Sequence, residues 1–380
     1  MRRKTFLYFL GLGLILFSGS AAYADSAVEL MKDVKVHGFA SASYNYNFHN
    51  PANPRNGNST NRIFDRDSNT FKFDVGELVL VKAPSEPGDI GFRTDLTYGF
   101  SVPEVAKSTA SAGDVQTHDF DLQQGYVSYI APIGSGLTLH FGKFITLIGA
   151  EVIEGYDGFN YNWSRSFLFG LAIPFTHTGV RADYTINDKL TIRGMVTNGW
   201  DQTTDDNNDK SFHLQVAYSV LDNVSLLVNW SGGGVNAAGN NTSNYRNLWD
   251  VVMDIALTED TLLQMNFDYG TQENASLTSA NADAVWWGVA GILRHNYNKW
   301  FSMNLRGEFF NDDHGFRANV AGGQKLWEVT LTPEFRINQN MVFRVEYRHD
   351  ASTQFAFFDR NNNQTESSQN TIGANALFFF

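Results

Sequence analysis

The sequence predicts an all-β chain: a closed, up-and-down antiparallel β-barrel of about sixteen strands that crosses a membrane. Three observations predict it. Apolar and polar residues alternate with period two in segment after segment. The connections between those segments alternate between tight turns and long polar loops. Aromatic residues make up 14% of a chain whose mean hydropathy is negative, and such a load needs either a core or a membrane interface to hold it.

From the start, MRRKTFLYFLGLGLILFSGSAAYA carries three positive residues, a short apolar run and an Ala-Tyr-Ala site. This is the pattern of a secretory signal over residues 1–24, leaving residues 25–380 as the barrel. Removing it takes away Arg2, Arg3 and Lys4 and no acid, so the net charge of −12 becomes −15. An exported chain this acidic is a poor partner for nucleic acid. It has no cysteine, although an exported compartment permits disulfides, so a large core or a closed hydrogen-bond network must hold it together. No later stretch has 18 consecutive apolar residues, so crossing by helices is not expected after the signal.

The first strand is VKVHGFASASYNYNF, residues 34–48. Its even positions are apolar, small or aromatic; its odd positions are polar, with Phe39 the one exception. The same alternation returns with Ile90, Phe92, Leu96 and Tyr98 against Arg93, Asp95 and Thr97, and with Val180, Ala182, Tyr184 and Ile186 against Arg181, Asp183 and Thr185. Later, Phe301, Met303, Leu305 and Phe309 oppose Ser302, Asn304, Arg306 and Glu308. Met341, Phe343, Val345 and Tyr347 oppose Arg344, Glu346, Arg348 and Asp350. Strands are expected to start near 34, 70, 90, 119, 137, 176, 190, 211, 224, 247, 261, 285, 300, 325, 341 and 370. Tight turns fall at 84–89, 131–136, 187–189, 221–223, 258–260, 296–299 and 338–340, and the long loops lie between the other strand pairs. Three places resist the pattern: the parity of 123–130 reads both ways, Glu77 and Lys143 fall on the nominal lipid face, and Pro333 interrupts a strand.

One face of each strand carries full charges, which require water or partners inside the barrel. The expected channel wall comprises Arg93, Asp95, Arg181, Arg193, Arg306, Glu308, Arg344, Glu346 and Arg348. Sixteen strands leave width for an aqueous channel; a lumen plugged by satisfied ion pairs is the competing reading. The third long loop, 145–175, differs from its Asn-rich neighbours in holding Glu151, Glu154, Asp157 and Arg165 among Ile, Phe and Tyr. A loop so apolar is expected to fold against the inner wall and form the constriction, with those four residues setting the local field. The alternative is a hairpin that prolongs its two strands.

The stretch FGKFITLIGAEVIEGYDGFNYNWSRSFLFGLAIPFTHTGVRADY, with Pro174, His177, Thr178 and Gly179 opening the next strand, resembles the signature region of the OmpL-like beta-barrel porin family. LRGEFFNDDHG and FRVEYRHDAS are similar to later strands of that family. The resemblance implies an outer-membrane porin and supplies no catalytic residues.

On this reading the function is passive diffusion of small hydrophilic solutes and ions through an outer-membrane channel, with no enzyme activity. A substrate-specific channel, an outer-membrane hydrolase and a surface adhesin are the alternatives. No cofactor or metal is expected: the nine histidines show no HExxH or paired spacing, and no G-x-S-x-G elbow or phosphate loop occurs. The expected partners are solutes, outer-membrane lipid, the barrel assembly machinery and two further copies in a homotrimer. The chain closes on TIGANALFFF, where Phe378 and Phe380 share the apolar face and resemble a terminal assembly signal; parity points Phe379 inward.

Overall fold

The computed structural model describes residues 33–52, 62–106, 120–205, 207–236 and 243–380; the expected signal segment lies outside the described residues. From the first strand the chain runs β1 Lys35–Asn47, β2 Thr70–Lys82, β3 Ile90–Tyr98, β4 Phe120–Ala131, β5 Leu137–Ile145 and β6 Thr176–Asn187. Next come β7 Leu190–Thr197, β8 Ser211–Leu221, β9 Val224–Asn236, β10 Ser243–Thr258, β11 Thr261–Gln272 and β12 Ala284–Asn296. β13 Phe301–Asp312, β14 Gln324–Asn338 and β15 Met341–Ser352 precede a small hairpin of β16 Phe357–Phe358 and β17 Gln364–Glu366, and β18 Ser368–Phe379 ends the series. Strands β1–β15 and β18 form one closed barrel of sixteen, each beside its sequence neighbour. The extra hairpin within the last long loop was not expected from the sequence.

Closure comes from β1 lying antiparallel to β18, with Ala42 opposite Ala376 and Tyr44 opposite Ala374. Small residues let the two backbones and the flanking aromatics settle at this seam. A closed ring leaves no unpaired edge, which is what a sheet in hydrocarbon requires. Strand starts follow the expected positions closely; the largest departure is β10, which begins at Ser243 and not near 247.

Burial alternates as period two demands. In β13, Asn304 and Arg306 are buried while Leu305 between them is exposed on the outer face; Leu331, Tyr347 and Ile372 are its counterparts on β14, β15 and β18. The places that resisted the pattern resolve into local irregularities. In β2 the alternation changes phase at Val75–Gly76: Lys72 and Asp74 are buried before it, Glu77 and Val79 after it. Glu77 therefore does not face lipid, contrary to simple parity. Lys143 is also buried, and its Nζ donates to both carboxylate oxygens of Asp121 at 2.9 and 2.8 Å. In β4 a bulge opposite Asp95 and Leu96 inserts Gln123, so Gln123 and Gln124 are both buried and the downstream parity inverts. β14 continues through Pro333, which faces Met303 on β13, while the ladder to β15 passes from Leu331 directly to Glu334. The missing N–H of proline is thus tolerated where the ladder is interrupted.

Two apolar clusters sit on the buried side of the wall. In the larger, Phe167, Leu168, Phe169, Leu171, Ile173 and Phe175 of the β5–β6 connection pack with Leu248, Trp286, Phe310 and Leu326 of β10, β12, β13 and β14. Residues 168–172 form a buried π-helical turn. The smaller cluster joins Phe39, Val75, Val342 and Leu377 to Tyr156, Phe159 and Phe379. Phe39 and Phe379, odd in their strands by polarity alone, therefore have partners: the Phe379 and Phe159 rings lie 5.5 Å apart.

Candidate functional site

The connection between β5 and β6 is bound to side chains of β2, β3, β8, β10, β11, β13, β14 and β15. Near its start Gln215 of β8 donates to the Leu147 carbonyl at 2.9 Å, and at β10 and β11 the Gly149 N–H donates to Asp250 at 3.2 Å and the Ala150 N–H to Asn266 at 3.3 Å. Glu151 then accepts from Arg306 of β13 at 2.8 Å and from the Ser166 N–H at 2.8 Å. Further along, Glu154 pairs with Arg165 at 2.9 Å and with Arg344 of β15 at 3.2 Å. The Tyr156 N–H donates to Glu77 of β2 at 2.9 Å, and Asp157 pairs with Arg93 of β3 at 2.7 Å.

Wall side chains also cap the backbone of the return limb. Glu346 accepts the Trp163 and Ser164 N–H groups at 2.7 and 3.1 Å, and Glu308 accepts those of Phe167 and Leu168 at 2.6 and 3.1 Å. Arginines cover the carbonyls: Arg344 donates to Asn160 O at 2.5 Å, Arg306 to Ser164 O at 2.6 Å and Arg348 to Arg165 O at 2.6 Å. An irregular backbone has no ladder to satisfy it, so wall side chains supply the partners that a strand would have supplied. Charged donors and acceptors make these bonds stronger than neutral ones. Burial pushes the Glu154 carboxyl up, but Arg165 foremost, then Arg344 and the Asn160 N–H outweigh it and hold the group below the usual glutamate range.

The residues named from the sequence fall into two groups. Arg306, Arg344, Arg348, Glu308 and Glu346 are fully shielded and engaged with the connection, and Glu151 and Glu154 are shielded with them. Arg93, Arg181 and Arg193, on β3, β6 and β7, keep partial exposure. Arg93 bridges Asp95 at 2.8 Å and Asp157, whose side chain is 48% exposed. Arg181 grips Asp183 through two bonds of 2.9 Å and lies 3.2 Å from His140 Nε2. Arg193 donates to Gln215 at 2.5 Å, with Asp183 at 3.5 Å. Phe378 and Phe380 are exposed on the outer face, their rings 6.1 Å apart.

Sequence reasoning missed Glu77, Asp250, Asn266, Thr332 and Glu328 as holders of the connection. Glu328 pairs with Arg306 at 2.7 Å, and Thr332 accepts from the Asn162 amide at 2.7 Å. Their inward parity was readable except at Glu77; their partners were not, because each lies more than 75 residues away or shares an arginine with a residue that does.

Comparisons with known proteins agree with this architecture. The family described as Putative beta-barrel porin-2, OmpL-like matches residues 33–380. Among solved structures, the outer membrane channel DcaP of Acinetobacter baumannii is similar at 13% identity and a TM-score of 0.59, over 91% of this chain and 97% of that one. An anion-selective porin from Comamonas acidovorans is similar at 10% identity and a TM-score of 0.58, over 91% and 99%. OmpT of Vibrio cholerae in a trimer form gives the same identity, TM-score and coverage as that porin. Among curated proteins no relative matches by sequence. At such identities the structures speak for the fold alone. The family match spans every barrel strand, so the chain belongs to the OmpL-like beta-barrel porin-2 family and is an outer-membrane porin.

Proposed function

We propose that residues 146–175 lie inside the lumen and divide the wall into a sector that carries the loop and a sector that conducts. The observation that carries this reading is the contrast among the wall arginines. Arg306, Arg344 and Arg348 are spent on the loop, whereas Arg93, Arg181 and Arg193 remain partly exposed on the strands between β3 and β7. In this arrangement Glu151, Glu154 and Arg165 set the loop's position, and Asp157 with Arg93 borders the narrowest water.

Small hydrophilic solutes and ions then diffuse passively through the conducting sector, with no chemical step. Its three arginines pair with Asp95, Asp157 and Asp183, which gives a balanced path whose selectivity any one of these residues can tilt. Residues 1–24 serve as the export signal, and Phe378 and Phe380 form an aromatic rim against lipid that the assembly machinery reads. A homotrimer is the proposed assembly, supported by the trimer form of OmpT among the similar structures.

The test is conductance of purified, folded protein in planar bilayers together with swelling of proteoliposomes in sugars, amino acids and phosphate. Discrete channels and size-dependent swelling are expected. A protein that inserts but never conducts at any ionic strength would sink the proposal.

A further inference from the structure

Two inward arginines at the long-loop end are held differently from all those above. Arg246 lies near the start of β10 on the same face as the fully buried Leu248 and Asp250, while Tyr245 and Trp249 point outward. Arg317 lies in the β13–β14 connection. Both guanidinium groups stack on one aromatic surface. Arg246 is 4.5 Å from the Trp200 ring centre and 5.3 Å from that of Phe316. Arg317 is 5.0 Å from Trp200, 5.3 Å from Trp286 and 5.6 Å from Phe316.

Among the described residues, the side chain of each donates through its Nε alone. Arg246 Nε donates to Gln272 at 2.5 Å, and Arg317 Nε to the Leu171 carbonyl at 2.5 Å. Among the described residues neither has a carboxylate within 4.0 Å, and the terminal amino groups of both lack a protein acceptor. Arg306, Arg344 and Arg348, by contrast, each have a carboxylate partner. Asp201 accepts the Phe175 N–H, and Asp312 accepts that of Ala318. Burial pushes the Arg317 guanidinium down to about 10, with Asp201 and Asp312 offsetting only part of the effect. Two like charges are thus gathered on one aromatic platform, and among the described residues no carboxylate comes within 4.0 Å of either.

We propose that Arg246 and Arg317 form a binding site for a small oxyanion solute, a carboxylate, sulfate or phosphate, that enters from the long-loop end. The planar guanidinium matches such a group with paired donors, and stacking holds it oriented before the anion arrives. The inward face of β10 selects a solute from the lumen and not a lipid phosphate. This site rests on the channel reading and names the class of solute that the channel captures first.

The test titrates the folded protein in detergent with sodium phosphate and sodium sulfate, against sodium chloride at matched ionic strength, and follows fluorescence of the tryptophans. A saturable change with the oxyanions and none with chloride is expected. Arg246→Met and Arg317→Met should each weaken apparent affinity roughly tenfold or more, the usual loss for a charged hydrogen-bond donor. Arg360→Met, on an exposed loop, should leave it unchanged. If the methionine variants fail to fold, as judged by heat-modifiable migration, Arg246→Gln and Arg317→Gln are used for the same comparison. No saturable response in the parent, or equal affinity in the arginine variants, would overturn the site. Conductance in potassium chloride, measured in parallel, separates the two readings: a conducting protein without the response loses the site alone, and a silent protein that binds loses the channel alone.

Discussion

Glu346 receives the backbone N–H of Trp163 at 2.7 Å, so a carboxylate on β15 caps a peptide group 183 residues earlier in the chain. Its other oxygen takes the Ser164 N–H, and Thr332 donates to the first. All the groups involved are buried, and no water replaces a lost partner cheaply. Glu346→Gln keeps the shape but turns one acceptor into a donor facing an N–H. A stability loss of about 1–3 kcal/mol is expected, read as a lower midpoint of heat-modifiable migration, with noisier open channels in bilayers.

Arg306 is a stronger test of the same idea. It stands between Glu151 of the loop and Glu328 of β14, both within 2.8 Å, and also holds the Ser164 carbonyl. Arg306→Met leaves buried Glu151 without its cation and Glu328 with Arg348 alone, 3.8 Å away. Removing one member of a buried charge cluster costs about 3–5 kcal/mol, so this variant should lose more stability than Glu346→Gln. Its single-channel conductance should rise or fluctuate as the loop detaches. A variant as stable and as quiet as the parent would show that the loop is held elsewhere.

The strand pattern was legible because lipid on one side of a single wall and water or ions on the other force period two onto almost every segment. Parity failed where the backbone itself broke period: the phase change at Val75–Gly76, which turned Glu77 inward, the inserted Gln123, and β5, where Lys143 and Phe144 are both buried after Gly142. Parity assigns a face but not a partner. It could not separate Arg344, consumed by Glu154 and Asn375, from Arg181, which pairs with Asp183 and keeps partial exposure, because that depends on where the loop lands. The composition of the loop marked it as a contact-maker, yet the wall residues that hold it come from strands as distant as Asp250 and Glu346. Phe379 illustrates the same limit: its inward direction was readable, its contact with Phe159 was not.

Glu154 should make the loop sensitive to acid only at the low end. Arg165 and Arg344 hold its folded pKa below the unfolded value, despite the opposing effect of burial. A depressed carboxyl contributes stability that is present above the unfolded pKa and is lost as pH falls through the folded one. The difference in channel noise between the parent and Glu154→Gln should therefore persist from neutral pH down through the ordinary glutamate range and close below it. Glu154→Gln should be noisy at neutral pH already. Noise that begins near neutrality in the parent would assign the transition to another group.

Selectivity should depend on the partly exposed arginines and not on the buried ones. Neutralising Arg193, whose nearest carboxylate is 3.5 Å away and shared with Arg181, removes the least compensated positive charge of that sector. Arg193→Gln is expected to shift the reversal potential in a salt gradient toward cations, with little change in stability. The shift should shrink at high salt as screening shortens. Arg348→Gln, which removes a buried partner of Asp350, should instead lower stability with a smaller shift.

Gly373 provides a steric test that involves no charge. A Cβ placed there would meet the Trp163 ring at 2.4 and 2.8 Å, so the absence of a side chain on β18 makes the seat for the loop's indole. Gly373 faces Asn45 on β1 and Glu346 on β15, which leaves the strand itself little room to shift. Gly373→Val suits a strand by propensity and should still assemble. It should nevertheless displace Trp163, and with it the N–H groups that Glu346 caps, so the expected signature is a folded barrel with red-shifted tryptophan emission and altered conductance. Adding Trp163→Ala restores space at Gly373→Val. The double variant should recover part of the lost stability relative to Gly373→Val alone, and strictly additive losses would separate the glycine from the loop.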